Sequence, residues 1–185
     1  MSELIDLTIV IPVYNEAQSL HVFHQQITKV INTLAKQHQL KFELLYVNDG
    51  SSDNSYQAIC EFKSADDYEV TSINFSRNFG KEAALAAGID HCQGGAIMFM
   101  DADGQHSPDL LPEFIKRWQD GDEVIYAYQE HREESRFKKS LVGIFYKLIN
   151  AGSRFNIPEN AADFKLLAPN ALAAIRHFPE KTRFF

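Results

Sequence analysis

Leu7-Thr8-Ile9-Val10-Ile11-Pro12-Val13 carries no charge and is rich in β-branched residues. A run this continuous lacks the alternation of a half-exposed strand, so it reads as a strand buried on both faces, as in the parallel sheets of α/β proteins. From Glu16 onward the period changes. Leu20, Phe23, Ile27, Ile31 and Leu34 recur at steps of three or four, one helical stripe expected to end near Gln37. Residues 42–47 give a second strand, which runs into Asn48-Asp49-Gly50-Ser51-Ser52-Asp53. That string is rich in turn formers, and Ser52 or Asp53 is placed to cap a helix beginning near Asn54. The alternation then repeats, with strands at 70–75, 96–100 and 123–128 and helices at 80–91 and 108–119. The pattern predicts an α/β fold, a mostly parallel twisted sheet with helices on both faces.

Beyond Tyr128 the composition shifts. Residues 129–134 form a polar loop and 135–151 an amphipathic helix, together expected to act as a lid. Residues 162–167 are short and ambiguous, an edge strand being one reading, and Pro169 opens a last helix to about His177. No repeat or linker divides the 185 residues, which read as a single domain. A net charge of -7 argues against a nucleic-acid partner, because phosphate neutralisation needs a basic surface. Two cysteines, Cys60 and Cys92, lack metal or redox spacing and suit a reducing compartment. No leader pattern or apolar run of about 20 residues is present, so the chain as given is expected to be soluble and cytoplasmic.

In an open parallel sheet, ligands bind beyond the carboxyl ends of the strands. Those ends carry Pro12-Val13-Tyr14-Asn15-Glu16, Asn48-Asp49-Gly50-Ser51, Ser76-Arg77-Asn78-Phe79-Gly80-Lys81 and Asp101-Ala102-Asp103-Gly104-Gln105. Asp101 and Asp103 follow an apolar strand and offer hard oxygen ligands to Mg²⁺ or Mn²⁺, ions held by one or two carboxylates plus substrate phosphates. The competing reading is a helix-capping turn, which Asp, Gly and Ser-Pro all favour. Asp49 is suited to accept hydrogen bonds from a base or ribose, and Glu16 likewise. Arg77 and Lys81 flank Gly80 at a helix start, where a cation and free N–H groups could face an anion, a solvated surface being the competing reading. Arg132, Arg136, Lys138 and Lys139 make a basic stretch that suits a phosphate, an anionic membrane surface or plain solvent. Asp163, beyond the lid, can orient an acceptor or take a proton.

Taken together, in order and at these strand ends, the four motifs resemble the family-2 glycosyltransferases over nearly the whole chain. Within that family they look most like the polyprenyl-phosphate glycosyltransferases. The resemblance implies a GT-A fold, with Pro12, Tyr14, Glu16 and Asp49 around the nucleotide and Asp101, Asp103 and Gln105 around the metal and diphosphate. It matches Asp163 to the family's acceptor-side aspartate and places Arg132 and Arg136 where basic residues meet phosphates. Position 48 is Asn where many members have Asp. Members usually continue into a juxtamembrane segment and membrane helices, so residues 1–185 are expected to be a catalytic domain truncated before them. The full-length protein would then sit on the cytoplasmic side of the inner membrane, self-association being left open.

The expected reaction is inverting transfer of a sugar from a UDP- or GDP-sugar to a polyprenyl phosphate carrier, for cell-envelope glycan or lipopolysaccharide modification. A polyprenyl phosphate oxygen is already largely anionic near neutral pH, its second ionisation lying near about 6, so Asp163 would mainly orient groups. A saccharide hydroxyl acceptor would instead need Asp163 as general base. The other alternative is a non-catalytic nucleotide-sugar-binding domain, disfavoured by the retention of Asp101 and Asp103. A nicotinamide enzyme is disfavoured because no glycine-rich phosphate loop follows the first strand.

Overall fold

A computed structural model describes residues 4–103, 107–128 and 161–177, with the backbone alone at 128 and 161–163. The predicted lid, 129–151, lies outside the described residues. Six strands form one sheet: β1 (Leu7–Val13), β2 (Phe42–Asn48), β3 (Tyr68–Asn74), β4 (Ala96–Phe99), β5 (Val124–Tyr128) and β6 (Ala161–Leu167). Their order is β3-β2-β1-β4-β6-β5. β3, β2, β1 and β4 pair in parallel, and β6 runs antiparallel to both β4 and β5. Five helices accompany them among the described residues: α1 (Leu20–His38), α2 (Ser55–Glu61), α3 (Lys81–His91), α4 (Leu111–Gln119) and α5 (Pro169–Arg176), with a 3-10 turn at Pro108–Leu110 leading into α4.

The stripe Leu20, Phe23, Ile27, Ile31 and Leu34 packs on one face of the sheet with Ile9, Ile11 and the α4 residues Leu111, Phe114 and Ile115. On the other face Val10, Leu45 and Val47 meet Ala84, Leu85 and Ile89 of α3 and Leu172 of α5. β1 is therefore covered on both sides, as its uninterrupted apolar run predicts. α3 lies close enough that a Cβ at Gly88 would come within 2.4 Å of the Val10 side chain.

The segment at 162–167 is no edge strand. β6 lies between β4 and β5, with Phe164, Leu166 and Leu167 all buried. Asp163 and Lys165 break the apolar run in the sequence and disguise an interior strand, and β5 takes the edge instead. At the amino end of the sheet Glu43, 1% exposed, accepts hydrogen bonds from Thr8 and Thr71 hydroxyls and from Gln93. A buried carboxylate survives only with such partners. No helix among the described residues is long and apolar enough to cross a membrane.

α1, β2 and α2 are joined by an aromatic cluster in which His24 stacks on Phe62, ring centroids 3.9 Å apart, with Nδ1 2.8 Å from the Tyr46 hydroxyl. Burial, aided by the neighbouring His21, lowers the His24 pKa from 6.5 to about 4. An unfolded His24 takes up a proton near 6.5 while the folded one resists until about 4, so its contribution to stability is complete above 6.5 and declines as the pH falls between the two values. Scanning calorimetry should show the thermal midpoint falling between about pH 7 and pH 4.5, and falling less in His24→Gln, which does not titrate. Equal slopes in the two proteins would place the acid sensitivity elsewhere.

Candidate functional site

The carboxyl ends of β1, β2 and β4 open onto one cleft of about 270 Å³. Pro12, Tyr14 and Glu16 line it from the β1 loop, Asp49 from the β2 loop, Asn78, Gly80 and Lys81 from the loop after β3, and Asp101 and Asp103 from the β4 loop. Pro12, Tyr14, Glu16, Asp49, Lys81, Asp101 and Asp103, all singled out in the sequence, are thus brought together. Gln105, Arg132 and Arg136 lie outside the described residues. Asp163 is placed on β6 by its backbone, two residues beyond Lys165, which pairs with Phe99 of β4. That is the end of β4 where Asp101 follows.

The first two loops are laced together by side chains. Asn15 adopts a left-handed backbone, φ 57°, a conformation Asn tolerates better than most residues. Its side-chain oxygen accepts from the Ser52 N–H at 2.8 Å, and its own N–H donates to Ser51 Oγ at 3.0 Å. Glu16 N–H donates to Ser55 Oγ, and Ala17 N–H to Asp53. Asp53 also accepts from Ser55 N–H at 2.9 Å and so ties both loops to the start of α2, whose N-cap residue is Asn54, with no side-chain cap, and not Ser52 or Asp53 as predicted. Glu16 carries a second duty. Its carboxylate accepts from Ser19 Oγ at 2.8 Å beside the first turn of α1, where the helix dipole favours an anion.

Asn48 is 2% exposed and does not line the cleft; it donates to Asn74 Oδ1 at 2.7 Å and accepts from Ser51. An aspartate at this position cannot donate, so the amide fits the neighbour it has on β3. Position 48 therefore acts on loop geometry, between the ends of two strands.

Asp49, 3% exposed, accepts from the Phe79 N–H at 2.7 Å and the Gly80 N–H at 2.9 Å. Gly80 is the N-cap of α3 and Phe79 precedes it, so Asp49 holds the start of that helix in place. Each Asp49 oxygen keeps a further lone pair for a ligand. Gly50 lets the third loop cross directly above it: φ is +63°, and a Cβ there would stand 2.2 Å from the backbone carbon of Arg77. The Arg77 guanidinium lies over the Phe79 ring, 4.6 Å from the centroid.

Lys81 faces an anion that belongs to the protein itself. Its Nζ meets Asp101 Oδ2 at 2.7 Å, a charge-assisted hydrogen bond across two loops. Spacing along the chain cannot reveal this pair, since twenty residues and a helix separate its members. Between the two aspartates, Ala102 is 2% exposed and packs into the core, which pins the loop and leaves both carboxylates on the cleft side. Among the described residues no three His, Cys, Asp or Glu side chains cluster to hold a metal. Two carboxylates on an open cleft fit Mg²⁺ or Mn²⁺, which take the rest of their shell from water and phosphate.

A family model described as Glycosyl transferase family 2 matches residues 8–176. The glycosyltransferase YkcC of Bacillus subtilis, itself uncharacterized, is 40% identical over 185 residues, covering 100% of this chain and 56% of the relative. The prophage bactoprenol glucosyl transferase homolog of Escherichia coli K12 is 34% identical over 179 residues, covering 96% of this chain and 57% of the relative. The chain thus spans little more than half the length of these relatives. Among solved structures, the mannosyltransferase PcManGT from Pyrobaculum calidifontis, in complex with GDP-Man and Mn²⁺, superimposes with a TM-score of 0.65 at 18% identity, over 96% of this chain and 48% of that one. Glucosyl-3-phosphoglycerate synthase from Mycobacterium tuberculosis, with Mn²⁺, UDP and phosphoglyceric acid, gives 0.58 at 16% identity, over 89% and 56%.

Proposed function

This chain belongs to glycosyl transferase family 2 and has a GT-A fold, and from that premise we propose that it is the catalytic domain of an inverting enzyme that moves a sugar from a nucleotide-sugar to a polyprenyl phosphate. The observation that carries this reading is the convergence of Asp101 and Asp103 with Asp49, Tyr14 and Pro12 on one cleft at the carboxyl ends of parallel strands. The acceptor is suggested by the relatives named bactoprenol glucosyl transferase, 34% identical to this chain.

Pro12 and Tyr14 form the apolar side of the cleft and suit a nucleoside, with Asp49 and Glu16 accepting from its base or ribose. Asp101 and Asp103 would hold Mg²⁺ or Mn²⁺, which when bound supplies positive charge to the departing nucleoside diphosphate. Gln105, beside them in sequence, is assigned to the same end of the donor. Asp163 orients the acceptor, whose phosphate oxygen attacks the anomeric carbon from the face opposite the leaving group and inverts it. Arg132 and Arg136 are assigned to phosphate groups. In the full-length protein the domain would work at the cytoplasmic face of the inner membrane, where a polyprenyl phosphate is held.

Calorimetry with UDP-, GDP- and CMP-sugars, with and without Mn²⁺, tests the donor half. One of the three should bind at least about tenfold tighter with the ion present. Transfer of labelled sugar to undecaprenyl phosphate in detergent, by the full-length protein, tests the acceptor half. Transfer to a free saccharide instead would replace the lipid acceptor with a hydroxyl and make Asp163 a general base. Failure of all donors to bind in the presence of Mn²⁺ would overturn the reading.

A further inference from the structure

The contact between Lys81 and Asp101 places an ammonium on one of the two carboxylates assigned to the divalent ion, at 2.7 Å. It is held there from two sides. Asp49 fixes the start of α3 through the Phe79 and Gly80 N–H groups, and Lys81 is the first residue of that helix. Ala102 anchors the loop that carries Asp101. The two side chains remain 41% and 20% exposed, so the pair is screened and weak enough to exchange. The same carboxylate oxygen cannot serve the ammonium and a divalent ion equally well, because the two cations repel at such range.

We propose that Lys81 is a coupling residue: it holds Asp101 until a divalent ion and a nucleoside diphosphate arrive together, and then transfers its ammonium to the diphosphate. This rests on the assignment of Asp101 to the metal and adds an order to its use. A divalent ion arriving alone competes with Lys81 for Asp101. A diphosphate offers the ammonium a stronger partner, since its oxygens carry more charge than one carboxylate and Lys is a common point-charge ligand for phosphate. The ion and the nucleotide therefore each strengthen the other's binding, and by linkage the two effects are equal. The arrangement keeps the carboxylate pair from binding metal without substrate.

The test compares the parent protein, Lys81→Met and Lys81→Arg, each first checked for an unchanged thermal midpoint. Mn²⁺ alone is titrated by the paramagnetic resonance of the free ion. UDP and GDP are titrated by calorimetry in chelator and in saturating Mn²⁺, corrected for their association in solution. Lys81→Met should bind Mn²⁺ alone at least about threefold tighter, bind nucleotide in chelator more weakly, and show a Mn²⁺–nucleotide coupling factor reduced at least threefold. Lys81→Arg retains the charge and should keep the parent's low Mn²⁺ affinity. Equal Mn²⁺ affinity and equal coupling in the parent and Lys81→Met would overturn the proposal while leaving the metal assignment standing. A tighter Mn²⁺ site in Lys81→Arg as well would also overturn it, because charge would not be the cause. A parent that binds no Mn²⁺ with either nucleotide would remove the metal assignment, and this proposal with it.

Discussion

Asp103→Ala will abolish the gain in donor affinity that Mn²⁺ provides and leave the fold intact. Asp103 is exposed on the cleft side of a loop whose anchor is its neighbour Ala102, 2% exposed. Truncating an exposed side chain costs folding no more than about 0.5 kcal/mol, so the thermal midpoint should stay within about 2 °C of the parent. The site loses one of two carboxylates, and a divalent ion is asked to supply several kcal/mol of charge stabilisation to a departing diphosphate. Turnover with the preferred donor should drop by at least about 100-fold, and calorimetry should give the same donor affinity with and without Mn²⁺. A variant whose donor affinity still rises with Mn²⁺ to the parent's value would sink the metal assignment.

Gly50→Ala will have the largest effect on the folded state, and through it on the site. Its backbone lies at φ +63°, where a Cβ costs roughly 1–2 kcal/mol. The added methyl would also stand 2.5 Å from both Arg77 Cα and Asn78 N, and these are backbone atoms that no rotamer change can move. The third loop must lift, which pulls the Phe79 and Gly80 N–H groups from Asp49. A loss of at least about 3 kcal/mol is expected, or roughly 6–12 °C in thermal midpoint for a chain of this size. Nucleotide affinity should fall with it, since Asp49 and Lys81 lose their fixed relation. A midpoint within about one degree of the parent would show that the loop crossing is not what holds these groups in place.

The cleft was legible because its polar groups sit at strand ends. Continuous apolar strands announce a parallel sheet, and such a sheet gathers its polar ends on one rim. Pro12, Tyr14, Glu16, Asp49, Asp101 and Asp103 therefore fall on one rim, and the cleft contains all six. What escaped were relations between loops. Asn15 with Ser51 and Ser52, Asp49 with Phe79 and Gly80, and Lys81 with Asp101 are hydrogen-bonded pairs separated by twenty or more residues. No local pattern encodes them. β6 escaped for a related reason: Asp163 and Lys165 give the segment a polar look, and only its neighbours show it to be interior.

The order of residues alone determined the layered α/β architecture and the identity of the chemical groups on its rim, because burial periodicity and strand-end placement are properties of short stretches. Tertiary structure alone decided how those groups are paired: which carboxylate locks a helix start and which one carries an ammonium. Such pairing depends on how closely separate loops approach, and that distance is set by the packing of helices on the sheet and by Gly50, which lets a third loop pass over the second.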